Sequence, residues 1–323
     1  MNPLSIFLFL AAIFFHPVTT HAQVAKGRLV KKTFTYKTVG DLEIQLDLHR
    51  PDDEKIRPAA VSIHGGALIL GSKQGVGRVG GMLLDEGYCV VSIDYRLAPE
   101  TKLSEIIADI EDAFRWIHAN AKDKLHADTS KLIVTGGSAG GYLTLTAGFR
   151  IKPRPAVLVP LWGYGDLLGP WMTTPSQHPR HQTSAISAAE IAALRNGAPV
   201  AFSTEETQPL RGGFYQHTRL TATWPQEVSG FNPKSDPEKF YPYMAVKNIT
   251  KDYPPTLMIH GTADTDVPFE QSQMMAGQFQ KHGVPFELIR VENGEHGLQG
   301  AEKEDIEAAY QQVLPFIKRH TEK

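Results

Sequence analysis

Three residues far apart in the chain have the types and surroundings that nucleophilic catalysis requires: Ser138, Asp264 and His296. Ser138 stands in Thr135-Gly136-Gly137-Ser138-Ala139-Gly140-Gly141-Tyr142, between two pairs of glycines and straight after the apolar run 132–134. A strand that meets small residues can reverse sharply and leave a hydroxyl projecting from the turn. A serine hydroxyl is a poor nucleophile at neutral pH. It needs an imidazole to take its proton, and the imidazole needs a carboxylate to fix its tautomer. His296, in Glu292-Asn293-Gly294-Glu295-His296-Gly297, has a glycine-flanked loop in which a ring can reach a serine. Asp264 supplies the carboxylate within His260-Gly261-Thr262-Ala263-Asp264-Thr265-Asp266-Val267-Pro268. A bare G-x-S-x-G match arises ~0.1 times by chance in a chain of this size. The partners therefore carry the reading. Asp266 is the competing carboxylate and reads as a turn residue.

A fourth stretch completes the chemistry. Attack on an ester carbonyl creates a tetrahedral oxyanion, and each backbone N–H held ~3 Å from it contributes roughly 10²–10³ in rate. His64-Gly65-Gly66-Ala67 offers glycines whose backbone can come close to a ligand. The candidate donors are the N–H groups of Gly65, Gly66 and Ala139. His64 precedes the turn and reads as a structural hydrogen-bonding residue rather than a base.

These residues need a scaffold that brings them together, and the pattern of the chain provides one. Residues 33–39 and 42–48 alternate apolar and polar side chains across Gly40-Asp41, a hairpin signal. Short apolar runs follow at 59–63, 88–93, 132–134, 156–159, 256–259 and 286–291. They read as buried parallel strands. Between them Leu103, Ile106, Ile107, Ile110, Phe114 and Ile117 recur at helical spacing, and 269–282 and 303–319 are helix-like. Strands alternating with helices predict an α/β protein, a mostly parallel sheet covered on both faces, with chemistry at the carboxyl ends of the strands. Each candidate site residue falls directly after a strand candidate, in the order Ser, Asp, His.

Residues 163–254 break this rhythm. They are rich in proline and aromatic residues, with one helical patch at 187–194. A structureless loop of that length is unusual in a compact domain, so the stretch reads as a lid or cap over the carboxyl edge. Trp162, Tyr164 and Trp171 open it and either line an acyl or sugar pocket or pack the cap. His178 and His181, with Pro179 between them and no cysteine or carboxylate cluster nearby, read as a solvated turn rather than a metal pair. Asn248-Ile249-Thr250 is a glycosylation sequon.

The whole chain sets bounds on these readings. Its 323 residues suffice for a large core, and its formal net charge of −2 gives no basic surface for nucleic acid or an anionic membrane. Residues 4–15 form an apolar run too short to span a bilayer, followed by small and polar residues up to Ala22. That predicts a signal peptide over 1–22, a hydrolase domain over 23–323 and a secreted or periplasmic protein with no stable membrane span after cleavage. Cys89 is the only cysteine, so no intrachain disulfide forms. No dinucleotide fingerprint or phosphate loop occurs, and neither a cofactor nor a metal is expected.

The motifs His64-Gly65-Gly66-Ala67, Asp94-Tyr95-Arg96-Leu97-Ala98-Pro99-Glu100, Gly136 to Gly141, His260 to Pro268 and Glu295-His296-Gly297 together resemble the hormone-sensitive-lipase-like carboxylesterases. They also resemble the related secreted acetyl and acetylxylan/feruloyl esterases. The likeness runs from about residue 40 to 318, omitting most of the insert. It implies the α/β-hydrolase fold, Ser138 as nucleophile, Asp264 as acid, His296 as base, and Gly65, Gly66 and Ala139 as the oxyanion hole. It also implies a short-acyl, chiefly acetyl, ester of a carbohydrate or small alcohol as substrate. The chain departs from the family pattern at Ala67, where a third glycine is common, and at Gly137, where an acidic residue is common. Two rival readings are a prolyl-oligopeptidase-like serine peptidase and a hydrolase fold retained as a non-catalytic binding protein.

Overall fold

The computed structural model describes residues 28–322; the expected leader over 1–22 lies outside the described residues. The chain enters through a hairpin of β1 (Leu29–Val39) and β2 (Leu42–Pro51). Val39 pairs with Leu42 across a two-residue turn in which Gly40 has φ +58°, a conformation glycine adopts without steric cost. A bulge between Thr35 and Lys37 turns Tyr36 inward, where its hydroxyl donates to the Asp94 carbonyl at 2.7 Å.

Strands and helices then alternate: β3 (Arg57–Ile63), α1 (Gly77–Asp85), β4 (Cys89–Ile93), α2 (Leu103–Ala119), β5 (Ala127–Gly137), α3 (Ala139–Arg150) and β6 (Val157–Leu161). The insert follows, with α4 (Pro170–Thr173), α5 (Ala188–Arg195), α6 (Gln208–Leu220), α7 (Trp224–Ser229) and α8 (Ala245–Asn248), plus 3₁₀ turns at Pro179–His181 and Pro237–Tyr243. The chain closes with β7 (Thr256–Gly261), α9 (Glu270–His282), β8 (Phe286–Val291), α10 (Lys303–Gln311) and α11 (Val313–Thr321). One sheet results, in the order β1-β2-β4-β3-β5-β6-β7-β8. β3 to β8 run parallel, while β2 is antiparallel to both of its neighbours. The expected α/β-hydrolase architecture is the one found.

The period of two along each strand divides the core. Ala59, Val61 and Ile63 of β3 face one apolar layer with Ile106, Ile110 and Phe114 of α2 and Leu143 of α3. Ala60, Val90 and Ile133 face the other, with Val79 and Leu83 of α1 and Phe316 of α11. The central strands are buried on both sides, which is why they read in the sequence as unbroken apolar runs. Cys89 is among these buried residues, and burial pushes its thiol up to about 12, so it is an inert packing group.

Two elements depart from the sequence reading. The expected helix over 303–319 is two helices broken at Gln312, because Pro315 has no N–H to give the Gln311 carbonyl and its ring would collide there. β5 begins at Ala127, ahead of its apolar run, because the polar stretch pairs with the start of β3 through Arg57 and Pro58.

Candidate active site

Four loops meet at the carboxyl ends of β3, β5, β7 and β8. The turn from β5 into α3 is the tightest. Ser138 takes φ +58° and ψ −122°, a strained conformation for a residue with a Cβ. The neighbouring glycine makes the turn possible: a Cβ on Gly140 would lie 2.1 Å from the Ile63 carbonyl oxygen. The elbow is thus pressed against the end of β3, and Ser138 is the residue pushed outward.

The Ser138 hydroxyl lies 3.0 Å from Nε2 of His296, and Nδ1 of the same ring lies 2.9 Å from Oδ2 of Asp264. With Nδ1–H donating to Asp264, Nε2 is the acceptor that Ser138 needs. Asp264 is fixed in turn. Its Oδ1 accepts from the backbone N–H groups of Asp266 and Val267, both at 2.9 Å. His260 stands behind it: Nδ1 is 2.7 Å from the Ser272 hydroxyl, and Nε2 is 2.9 Å from the Val267 carbonyl and 3.3 Å from Oδ2 of Asp264. The carbonyl contact requires a proton on Nε2, so that nitrogen donates and Nδ1 accepts. Burial alone would push the Asp264 carboxyl up, but hydrogen bonds from His260 and His296 hold it at about 2.

The His296 loop is clamped by a residue that the sequence reading passed over. The Glu295 carboxylate accepts from the Thr265 hydroxyl at 2.6 Å, from the backbone N–H of His296 at 2.9 Å and from Arg180 at 3.2 Å. It ties the loop of His296 to the loop of Asp264 and to the insert. Trp162 meets the His296 ring edge-on at 6.4 Å.

The turn after β3 supplies backbone donors. Outside helices and strands, the N–H groups of Gly65 and Gly66 meet no backbone carbonyl among the described residues. Ala139 opens α3, where the first N–H groups have no intrahelical partner and the helix dipole places positive potential. Gly66 has φ +102°, and a Cβ there would meet the Leu70 carbonyl oxygen at 2.0 Å. His64 orients this turn. Its ring stacks on Tyr95 at 4.2 Å, and Nδ1 is 2.8 Å from the Gly65 carbonyl oxygen. In a trans peptide the C=O and the following N–H point in opposite directions, so anchoring the Gly65 carbonyl fixes where the Gly66 N–H points. Burial pushes the His64 ring down to about 4, so at neutral pH it is uncharged, with its one proton on the Nδ1 that donates to the Gly65 carbonyl. Replacing His64 with leucine is expected to lower kcat about fivefold with little change in KM, since one net hydrogen bond is worth about 1 kcal/mol. Steady-state kinetics on the folded variant would check this.

The insert reaches this turn at alternate residues. The Trp224 indole donates to the Ala67 carbonyl at 3.0 Å, and Arg211 donates to the Ile69 carbonyl at 2.8 Å. The backbone N–H of Ser203 donates to the Gly71 carbonyl at 2.9 Å. Tyr164 is a packing residue: it is buried, stacked on Tyr142 of α3 at 5.0 Å and edge-on to Trp171 and Trp224.

Asp266 and His181 differ from their sequence readings. Asp266 is a buried carboxylate whose Oδ1 accepts from His181 Nε2 at 3.0 Å, the Tyr215 hydroxyl at 2.5 Å and Arg219 at 2.8 Å. Its Oδ2 faces His296 Nε2 at 3.7 Å. His181 is buried rather than solvated, with Nδ1 2.7 Å from the Ser176 hydroxyl. A serine, an imidazole and a carboxylate in hydrogen-bonded sequence, beside unpaired backbone amides, can perform acyl transfer through a covalent intermediate.

Residues 46–279 match the BD-FAE family model. Among solved structures, a protein of unknown function from Staphylococcus aureus subsp. aureus Mu50 shares 23% identity at a TM-score of 0.70, over 90% of this chain and 99% of that one. A truncated form of a carbohydrate esterase from gut microbiota shares 20% identity at a TM-score of 0.63, over 93% of this chain and 99% of that one. Among curated proteins, the non-reducing polyketide synthase prhL of Penicillium brasilianum is 26% identical over 86% of this chain. The chain spans only 13% of that synthase's length.

Proposed function

From a chain that belongs to the BD-FAE family of esterase-type α/β-hydrolases, we propose a serine esterase that hydrolyses short-acyl, chiefly acetyl, carboxylic esters of carbohydrates or small alcohols. The observation that carries the reading is the run of contacts from Ser138 through His296 to Asp264, at 3.0 and 2.9 Å. Ser138 Oγ attacks the ester carbonyl while its proton passes to His296 Nε2. The oxyanion is met by the N–H groups of Gly65, Gly66 and Ala139. Collapse breaks the ester C–O bond, and the alcohol leaves with the proton from Nε2. Water then attacks the acyl-enzyme with His296 again as base, releasing the carboxylic acid and restoring Ser138. Burial opposes charge on His296, but Asp266 and Asp264 more than offset it and raise its proton affinity, which stabilises the imidazolium in both halves of the cycle.

The carbohydrate reading is supported by the gut carbohydrate esterase that shares the fold, and work outside the cytoplasm by the apolar leader pattern ending at Ala22. A panel of nitrophenyl esters from acetyl to octanoyl, run beside acetylated xylan with Ser138→Ala as control, tests the proposal. Acetyl ester is expected to lead, with kcat/KM at least about tenfold above octanoyl, and acetate should be released from the xylan. Faster turnover of long acyl chains would overturn the acetyl preference. Peptidyl-nitroanilide turnover above ester turnover would make the protein a peptidase. Failure of a fluorophosphonate to label the wild type would make it a binding protein.

A further inference from the structure

His296 lies between two carboxylates, and only one of them is a hydrogen-bond partner of its ring. Asp264 holds Nδ1. On the other side, Oδ2 of Asp266 faces Nε2 at 3.7 Å, too long for a hydrogen bond and short enough for a strong charge interaction. Asp266 therefore leaves Nε2 free to serve Ser138 while setting a negative charge beside it.

The partners of Asp266 share one origin. His181 comes from the turn Pro179–His181, and Tyr215 and Arg219 lie one helical turn apart on α6, so all three donors to Oδ1 belong to the insert. Arg219 also donates to the Asp266 backbone carbonyl at 3.0 Å, and Tyr215 relays Arg219 to the carboxylate through a 2.7 Å bond. A carboxylate buried this deeply is retained in charged form only by such donors. Three donors on one oxygen also fix where the other oxygen points.

We propose that Asp266 is a positioning residue: held by His181, Tyr215 and Arg219 of the insert, it keeps a second negative charge against Nε2 of His296 and so sets the proton affinity of the base. The inference rests on the reading of Ser138 and His296 as nucleophile and base.

The other groups around His296 are accounted for. Asp264 faces it from the loop after β7, and Arg180 of the insert acts in the opposite sense. The Glu295 carboxylate takes the backbone N–H of His296 and the Arg180 guanidinium. His260 stands behind Asp264, and His181 and Arg219 behind Asp266. Trp162 and Ser138 face the ring without charge. Removing the charge at 266 leaves all of these in place.

The test is the pH dependence of inactivation by a fluorophosphonate, which requires Ser138 and a neutral His296 but no knowledge of the natural ester. In folded Asp266→Asn the base loses an adjacent anion, so the rising limb of the rate is expected to move to lower pH by about one unit or more. A limb coincident with wild type, with only a uniform loss of rate, would make Asp266 a structural residue and overturn the proposal. Should Asp266→Asn not fold, Tyr215→Phe decides. It removes one donor from Oδ1, leaves more charge facing His296 and is expected to raise the limb by a few tenths of a unit. An unmoved limb there overturns the proposal equally. Wild type that is not labelled at all would instead refute the serine-esterase reading, so the two failures are distinct.

Discussion

Replacing Ser138 with glycine or with alanine is expected to abolish ester turnover, by about 10⁵-fold or more in kcat, yet the two variants should differ in stability. Both lose the hydroxyl that meets His296 at 3.0 Å. Only glycine also removes the Cβ from a backbone held at φ +58°, ψ −122°. A side chain in such a region costs on the order of 1–3 kcal/mol, of which glycine's greater freedom in the unfolded chain gives some back. Ser138→Gly should therefore be more stable than Ser138→Ala by about 1 kcal/mol, or roughly 2 °C in melting temperature. Calorimetry on the pair, with fluorophosphonate labelling as the activity readout, measures both effects. If the two melt together, or alanine melts higher, the turn is not storing the strain that its dihedrals imply. If glycine melts higher as expected, the nucleophile is held at a cost in stability that is local to one residue.

Asp264→Asn is expected to lose about 10⁴-fold in kcat, through the tautomer of His296 rather than through lost charge alone. Oδ1 of Asp264 accepts two backbone N–H groups, from Asp266 and Val267. An asparagine must keep its carbonyl oxygen there, because the amide nitrogen cannot accept. Its NH₂ then occupies the position of Oδ2 and points at His296 Nδ1 and His260 Nε2. His296 has to accept on Nδ1, which moves its proton to Nε2, the nitrogen that should receive the proton of Ser138. His260 meanwhile presents its own N–H to an NH₂. Measured kcat for the folded variant checks the argument. Retention of more than about a tenth of wild-type kcat would pass the role of acid to Asp266, and the tenfold loss would be the trace of a misplaced ring.

The residues around Ser138, Asp264 and His296 were legible because each follows a strand of the sheet, buried in β5 and β7 and half-buried at the edge in β8, and has glycines beside it. A strand end is visible as an apolar run stopping, and a tight loop as small residues following it. The turn after β3 was legible for the same reason: Gly66 occupies a conformation that side chains rarely adopt, and it is written as a pair of glycines. Charged residues that meet across the fold have no such signature. Glu295 looked like a neighbour of the base and holds its loop by four contacts, from Thr265 twice, His296 and Arg180. Asp266 read as a turn residue because its donors, His181, Tyr215 and Arg219, lie about fifty to eighty-five residues away in a stretch without periodicity. The insert gave one helical patch in sequence, now α5, while α6 was hidden by Gly212, Gly213 and the half-buried polar residues Gln208, Gln216 and His217. Helix formation there depends on burying Phe214 and on seating Arg211 and Arg219, which only the folded surroundings can reward.

The three ties from the insert to the turn after β3, at Ala67, Ile69 and Gly71, bear on how such a protein can change over generations. Insert and turn are separated by more than a hundred residues, yet neither can drift alone. A new insert that brings a different substrate preference also brings, or fails to bring, the donors at 203, 211 and 224 that hold the carbonyls of this turn. Diversification of substrate and preservation of chemistry are thereby linked in inheritance. A graft by design must therefore carry the insert together with residues 64–71, while the sheet beneath can stay.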